Sequence, residues 1–180
     1  MPIFDEGAED ACAPPRTEDV GCGIDGDTFR LDNCTDGEVI RLLGLDTPEV
    51  FTDGPESCTD PSFYDDATGT CCYGTQASAF LKDLLTSHRD AEIRLEFDNT
   101  CTDTYERTLA YAWLLPEATE DTGEDAADED DAIFINEELL AGGYARLYEF
   151  DTSIYRYQEF AELQSEARDA GLGLWGSCYE

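Results

Sequence analysis

Positive charge is what this chain has least of. Its 180 residues contain one lysine, Lys82, and nine arginines against 43 acidic residues, a formal net charge of -33. That excludes the basic stripe that draws nucleic acid by counterion release, so affinity for a polyanion would have to come from groups in direct contact with it. Histidine is nearly absent as well. The single His88 falls at the end of a predicted helix, where it suits the helix dipole, and a Ser-His-Asp triad or histidine-based phosphotransfer is set aside. No apolar run approaches ~18 residues, so the hydropathy pattern contains no spanning helix. The segment after Met1 is acidic and lacks the apolar core of an export signal; such a signal is either trimmed or not used.

The eight cysteines, at 12, 22, 34, 58, 71, 72, 101 and 178, include no C-x-x-C pair. This spacing disfavours a structural zinc site and points to disulfides in an exported protein, extracellular or held at the cell surface. Cys58 with either Cys71 or Cys72 brackets one loop; the rest of the connectivity stays open. With 41% hydrophobic and 11% aromatic residues the chain has the means to build a core, which argues against a disordered acidic polymer. The acid excess resembles that of proteins from brines. At ~1 M salt the Debye length is about 3 Å, and remote surface charge is nearly invisible to a substrate.

Residues 1–16 read as an acidic lead-in linker, and residues 17–180 as one domain. Strands are predicted at 20–24, 29–31 and 39–43, joined by the D-G-D-T turn and a turn at Asp36 and Gly37. A Cys-, Gly- and Pro-rich loop fills 50–73. Ala77, Phe80, Leu81, Leu84 and Leu85 give one apolar helical stripe over 75–87, followed by strands at 91–97 and 107–115. Nine of the fifteen residues at 117–131 are acidic, a solvated insertion that lacks the glycine and terminal glutamate placement of an EF-hand loop. Asn136 is placed to cap a short helix ending at Gly142 and Gly143, and a last helix spans 153–170 before Leu174 and Trp175 tuck back. The expectation is an α+β domain, a five-stranded OB-type β-barrel with three helices.

Chemistry concentrates in two turns. Asp27 and Asp46 offer hard oxygen ligands suited to calcium or magnesium, with the Thr47 carbonyl and water to complete the shell. Glu49 follows across the rigid Pro48 as a candidate general base, and Arg41 can grip two phosphate oxygens with its planar fork. Together they suggest a site that holds a metal against a phosphodiester. The three carboxylates outnumber the arginines, and a divalent cation would reverse that balance.

Five motifs in order then carry a resemblance: D-G-D-T-F-R-L at 25–31, R-L-L-G-L-D-T-P-E at 41–49, D-x-Y-x-R-x-L-A-Y at 103–111, the I-N-E segment at 135–145, and A-x-x-x-x-L-G-L-W at 167–175. The chain resembles the staphylococcal nuclease-like (thermonuclease) domains over about residues 18–176. The resemblance implies an OB-type barrel and a calcium-dependent nuclease of DNA and RNA that leaves 3′-phosphates. It implies Asp27, Asp46 and Thr47 as calcium ligands, with Asp25 a supporting acid. It also implies Glu49 as base, Arg41 and Arg107 on the phosphate, and Tyr105 in the substrate pocket. Two departures stand out: Glu106 occupies the place of a usual glycine, and substrate-holding lysines are missing. A catalytically weak nuclease-like binding module is the alternative, but such domains lose metal or arginine positions that are intact here. An acidic DNA mimic would need its charge on one face, whereas these acids are spread along the chain. The expected protein is a monomer acting on nucleic acid.

Overall fold

A computed structural model describes residues 11–116, 131–148 and 152–179. The first ten residues and 117–130, which include most of the predicted lead-in and acidic insertion, lie outside the described residues.

Strand β1 (Arg16–Gly23) begins four residues earlier than the alternation at Val20 suggested, because Arg16 to Asp19 pair with the later strand β7 (Glu92–Glu96). The D-G-D-T turn leads into β2 (Thr28–Leu31), which pairs antiparallel with both β1 and β3 (Val39–Leu42). In β2 and β3 the period of two sends Phe29, Leu31, Ile40 and Leu42 into the core. Arg41, between two of them, is left on the opposite face. A tight turn at Leu43 and Gly44 gives β4 (Leu45–Asp46).

The predicted loop at 50–73 contains two 3₁₀ turns and a small hairpin of β5 (Tyr64–Asp65) and β6 (Thr70–Cys71). Helix α1 (Gly74–Ser87) follows, with Ala77, Leu81 and Leu85 buried and His88 as its C-cap. Strand β8 (Thr108–Leu114) pairs antiparallel with β7 and parallel with β3. The main sheet therefore runs β3-β2-β1-β7-β8, with a sixth strand, β9 (Ile133–Phe134), added to β8. Among the described residues there are ten strands, the five expected and five additions of two residues each.

The described residues form four α-helices, where three were expected. Helix α2 (Ile135–Ala141) starts after Phe134, so Asn136 is not its cap. Its side chain is fully buried, accepting from the Ala112 N–H (3.1 Å) and donating to the Leu43 carbonyl (2.9 Å). It thus clamps β8 to the turn that carries the R-L-L-G-L-D string. Strand β10 (Arg146–Leu147) then pairs with β4, and α3 (Tyr157–Asp169) packs Phe160 and Ala167 inward. The fourth helix is α4 (Leu174–Ser177), formed where a simple terminal anchor was predicted. Leu174 is buried and its N–H bonds the Gly143 carbonyl.

Four disulfides fix these pieces: Cys12–Cys101, Cys22–Cys34, Cys58–Cys71 and Cys72–Cys178. The first and last close long loops, where cross-links remove the most chain entropy in the loop-closure model. Among the described residues no helix is long and apolar enough to cross a membrane.

Candidate active site

The turn between β1 and β2 is closed by Ile24 and Asp25 N–H groups on the Thr28 carbonyl, and the Asp27 carbonyl accepts from Leu42 N–H. These bonds lay the D-G-D turn across the end of β3. Gly26 is needed there, since a Cβ would stand 2.6 Å from Thr47 Oγ1. That close approach puts Asp27 against the second turn: its Oδ2 accepts from Thr47 N–H (2.9 Å) and Thr47 Oγ1 (3.0 Å). On the far side of Glu49, a Cβ at Gly74 would run into the Glu49 carbonyl, so the start of α1 can press directly on the backbone of the D-T-P-E turn.

Arg41 sits between the two aspartates. Its Nη2 lies 3.1 Å from Asp27 Oδ2 and 3.0 Å from Asp46 Oδ1, while Nη1 donates to the carbonyls of Leu42 (3.0 Å) and Leu45 (2.9 Å). A cavity of about 350 Å³ opens beside it, lined by Asp25, Asp27, Arg41, Asp46, Glu49, Asp103 and Arg107 among others. Two strands that are distant in sequence, β3 and β8, meet at this cavity. Their parallel pairing sets Arg41 opposite Leu109, two residues from Arg107.

Burial and neighbouring negative charge raise three of the carboxyls, Asp25, Asp46 and Glu49. Burial, then the charges of Asp27, Asp25 and Asp46, push the Glu49 carboxyl up to about 7 against the opposing pull of Arg41. The residue itself stays exposed at the cavity rim. Asp46 is raised by burial and by Asp27, partly countered by Arg41 and Arg146. Asp25 is raised by burial and by Asp27. Such a set has an excess of negative charge and hard oxygen donors, the chemistry that suits a calcium-class cation. As arranged, however, Arg41 fills the gap between Asp27 and Asp46, and among the described residues no three Asp, Glu, His or Cys side chains converge as metal ligands.

The opposite wall is built locally. Asp103 Oδ1 accepts from the N–H groups of Tyr105 (2.8 Å) and Arg107 (3.0 Å), and its Oδ2 takes Arg107 Nε at 2.7 Å. Burial alone would raise Asp103, but these hydrogen bonds and the Arg107 charge outweigh it and lower its pKa. Tyr105 does not line the cavity. It stands at the rim, 79% exposed, with the Arg107 guanidinium 5.4 Å from its ring centroid.

The sequence itself is similar to known proteins. The model of the staphylococcal nuclease homologue family fits residues 39–177, well over half the chain. The chain belongs to that family. A thermonuclease of Staphylococcus hyicus is 34% identical over 155 residues, covering 86% of this chain and 72% of the relative. One from Staphylococcus intermedius is 35% identical over 153 residues, covering 84% and 71%. A prophage-derived endonuclease of Bacillus subtilis is 29% identical, matching 84% of this chain and 41% of its own length. The α+β architecture with a mostly antiparallel sheet fits the OB-like fold of the family.

All six cavity residues named from sequence, Asp25, Asp27, Arg41, Asp46, Glu49 and Arg107, line one space; Thr47 contributes from behind, through Asp27. Sequence reasoning missed Arg146. It stands opposite Asp46 in the β4–β10 pair, with Nη2 3.6 Å from Asp46 Oδ2. The only signal for it was a cation in a chain that has few.

Proposed function

We propose that this protein is a calcium-dependent nuclease that hydrolyses DNA and RNA to products with 3′-phosphates. The observation that supports this reading best is the juxtaposition of Arg41, Arg107 and the carboxylates Asp27, Asp46 and Glu49 in one solvent-open cavity. In the reading, Asp27, Asp46 and the Thr47 carbonyl would hold the cation, which would supply positive charge beside the phosphate. Glu49, at the rim of the same cavity, takes the proton of the attacking water. Arg41 and Arg107 hold the non-bridging oxygens as the water oxygen bonds to phosphorus and negative charge builds on them; the bond from phosphorus to the 5′-oxygen breaks, and that oxygen leaves as a hydroxyl with a proton from solvent. Arg41 Nη2 now serves both aspartates, so it becomes available to a phosphate only when their charge is taken up elsewhere. Tyr105 flanks the bound chain at the rim. The five-strand circuit β3-β2-β1-β7-β8, joined by the β3–β8 pair, serves as the OB-type barrel that supports this cavity.

We also read residues 17–180 as one nuclease domain, monomeric, working outside the cell or at its surface in concentrated salt. The four disulfides and the acid excess support that setting. The test is cleavage of single-stranded DNA and of RNA in molar salt. EGTA-sensitive hydrolysis is expected, and folded protein that cleaves neither substrate overturns the reading. Glu49→Gln is expected to keep calcium binding and lower turnover about a hundredfold or more; unchanged turnover removes Glu49 as the base.

A further inference from the structure

A second cavity, of about 470 Å³, begins one side chain away from Asp46. It is lined by Arg146, Gln164, Arg168, Trp175 and Tyr179. In a chain with 43 acidic residues, none of the described residues lining it is Asp or Glu. Four of the ten cationic side chains, Arg41, Arg107, Arg146 and Arg168, line this cavity or the candidate active site. Arg146 joins the two: it lines the second cavity while its guanidinium reaches Asp46 of the first.

The polar groups here are arranged as donors. Gln164 Oε1 is occupied by the Leu147 N–H at 2.8 Å, which leaves the Gln164 NH₂ without a partner among the described residues. Arg168 makes no ion pair among the described residues and lies 6.0 Å from the Trp175 ring centroid. Trp175 and Tyr179 stack at 5.0 Å and 24°, with Phe63 edge-on behind Tyr179 at 4.8 Å, and Tyr179 remains 45% exposed. The wall is also held in place, because Cys178 is bonded to Cys72 and Leu174 is buried. Guanidinium and amide donors beside a fixed aromatic face match the two repeating features of a single-stranded nucleic acid, an anionic phosphate and a planar base.

We propose that this cavity is a substrate subsite for the nucleotides flanking the scissile phosphate. Arg146 and Arg168 take the backbone phosphate, the Gln164 NH₂ donates to the same unit, and the open face of Tyr179 stacks an unpaired base. The proposal rests on the nuclease reading and extends it: in concentrated salt, long-range attraction is screened and affinity must be gathered from contacts such as these.

The test compares the intact protein with Arg168→Gln and Tyr179→Ala on a dinucleotide and on a longer single-stranded oligodeoxynucleotide in molar salt with calcium. Binding of the labelled long strand to the same proteins is followed separately by fluorescence anisotropy. Each substitution is expected to lower the ratio of kcat/KM for the long strand over that for the dinucleotide about tenfold, mainly through KM, and to weaken anisotropy-detected binding by a similar factor. An unchanged ratio, or equal losses on both substrates, overturns the subsite. If the unaltered protein cleaves neither substrate, the nuclease reading fails. The subsite is then judged on binding alone: weaker binding by the variants supports it, and equal or absent binding overturns it.

Discussion

The two arginines facing the candidate site are held in opposite ways. Arg41 is 12% exposed and spends both terminal nitrogens on Asp27, Asp46 and two main-chain carbonyls, joining turns that are twenty residues apart. Arg107 is 31% exposed and leans on a single carboxylate, Asp103, four residues before it in a loop that orders itself. Both line the candidate cavity, but Arg41 also ties distant parts of the fold together, whereas Arg107 is held only by its own loop. Loss of activity on mutation therefore carries different meanings on the two walls.

The sharpest way to test the contrast is Arg41→Ala. It leaves Asp27, almost wholly buried, with no opposing charge, and is expected to cost about 3–5 kcal/mol in denaturant unfolding along with all activity. Arg107→Ala should cost under ~1 kcal/mol of stability, yet lower kcat/KM by about a hundredfold. Equal destabilisation by the two substitutions would erase the distinction. Third is Glu106→Gly. Glu106 holds φ 61°, a left-handed conformation that costs a side-chain-bearing residue about 1 kcal/mol, so the glycine variant should melt higher while also removing a negative charge next to Arg107. The smallest effect belongs to Asp103→Asn. Because the folded protein depresses the Asp103 pKa, its contribution is present above the ordinary carboxylate range and lost as pH falls through the depressed value. Replacing it should flatten the acid limb of a stability-versus-pH curve by under ~1 kcal/mol, leaving neutral-pH folding intact.

Much of the buried wall was legible because its signals are local. D-G-D-T marks a hairpin turn, alternation places Ile40 and Leu42 inside and Arg41 outside, and the apolar stripe of α1 ends within a residue of its prediction. Asn136 was misread for the same reason: near the start of a helix it looks like a cap. Its partners are Leu43 and Ala112, which no local pattern brings near it. The early start of β1, the helix at Leu174 and the place of Arg146 likewise depend on partners far along the chain. For the cysteines, sequence offered Cys58 two neighbours. Packing gave it Cys71 and sent Cys72 to Cys178.

By itself the sequence determined which chemical groups this protein has to work with: hard carboxylate oxygens and arginine forks in two short motifs, with almost no diffuse positive charge beside them. Those facts follow from composition and short-range spacing, which folding does not alter. Tertiary structure alone decided which charges meet. The antiparallel β4–β10 register set Arg146 opposite Asp46, and the parallel β3–β8 pair carried Arg107 to the wall facing Arg41. Charges act over a few ångströms, and separations of that size between distant residues are set by strand register and core packing rather than by their order in the chain.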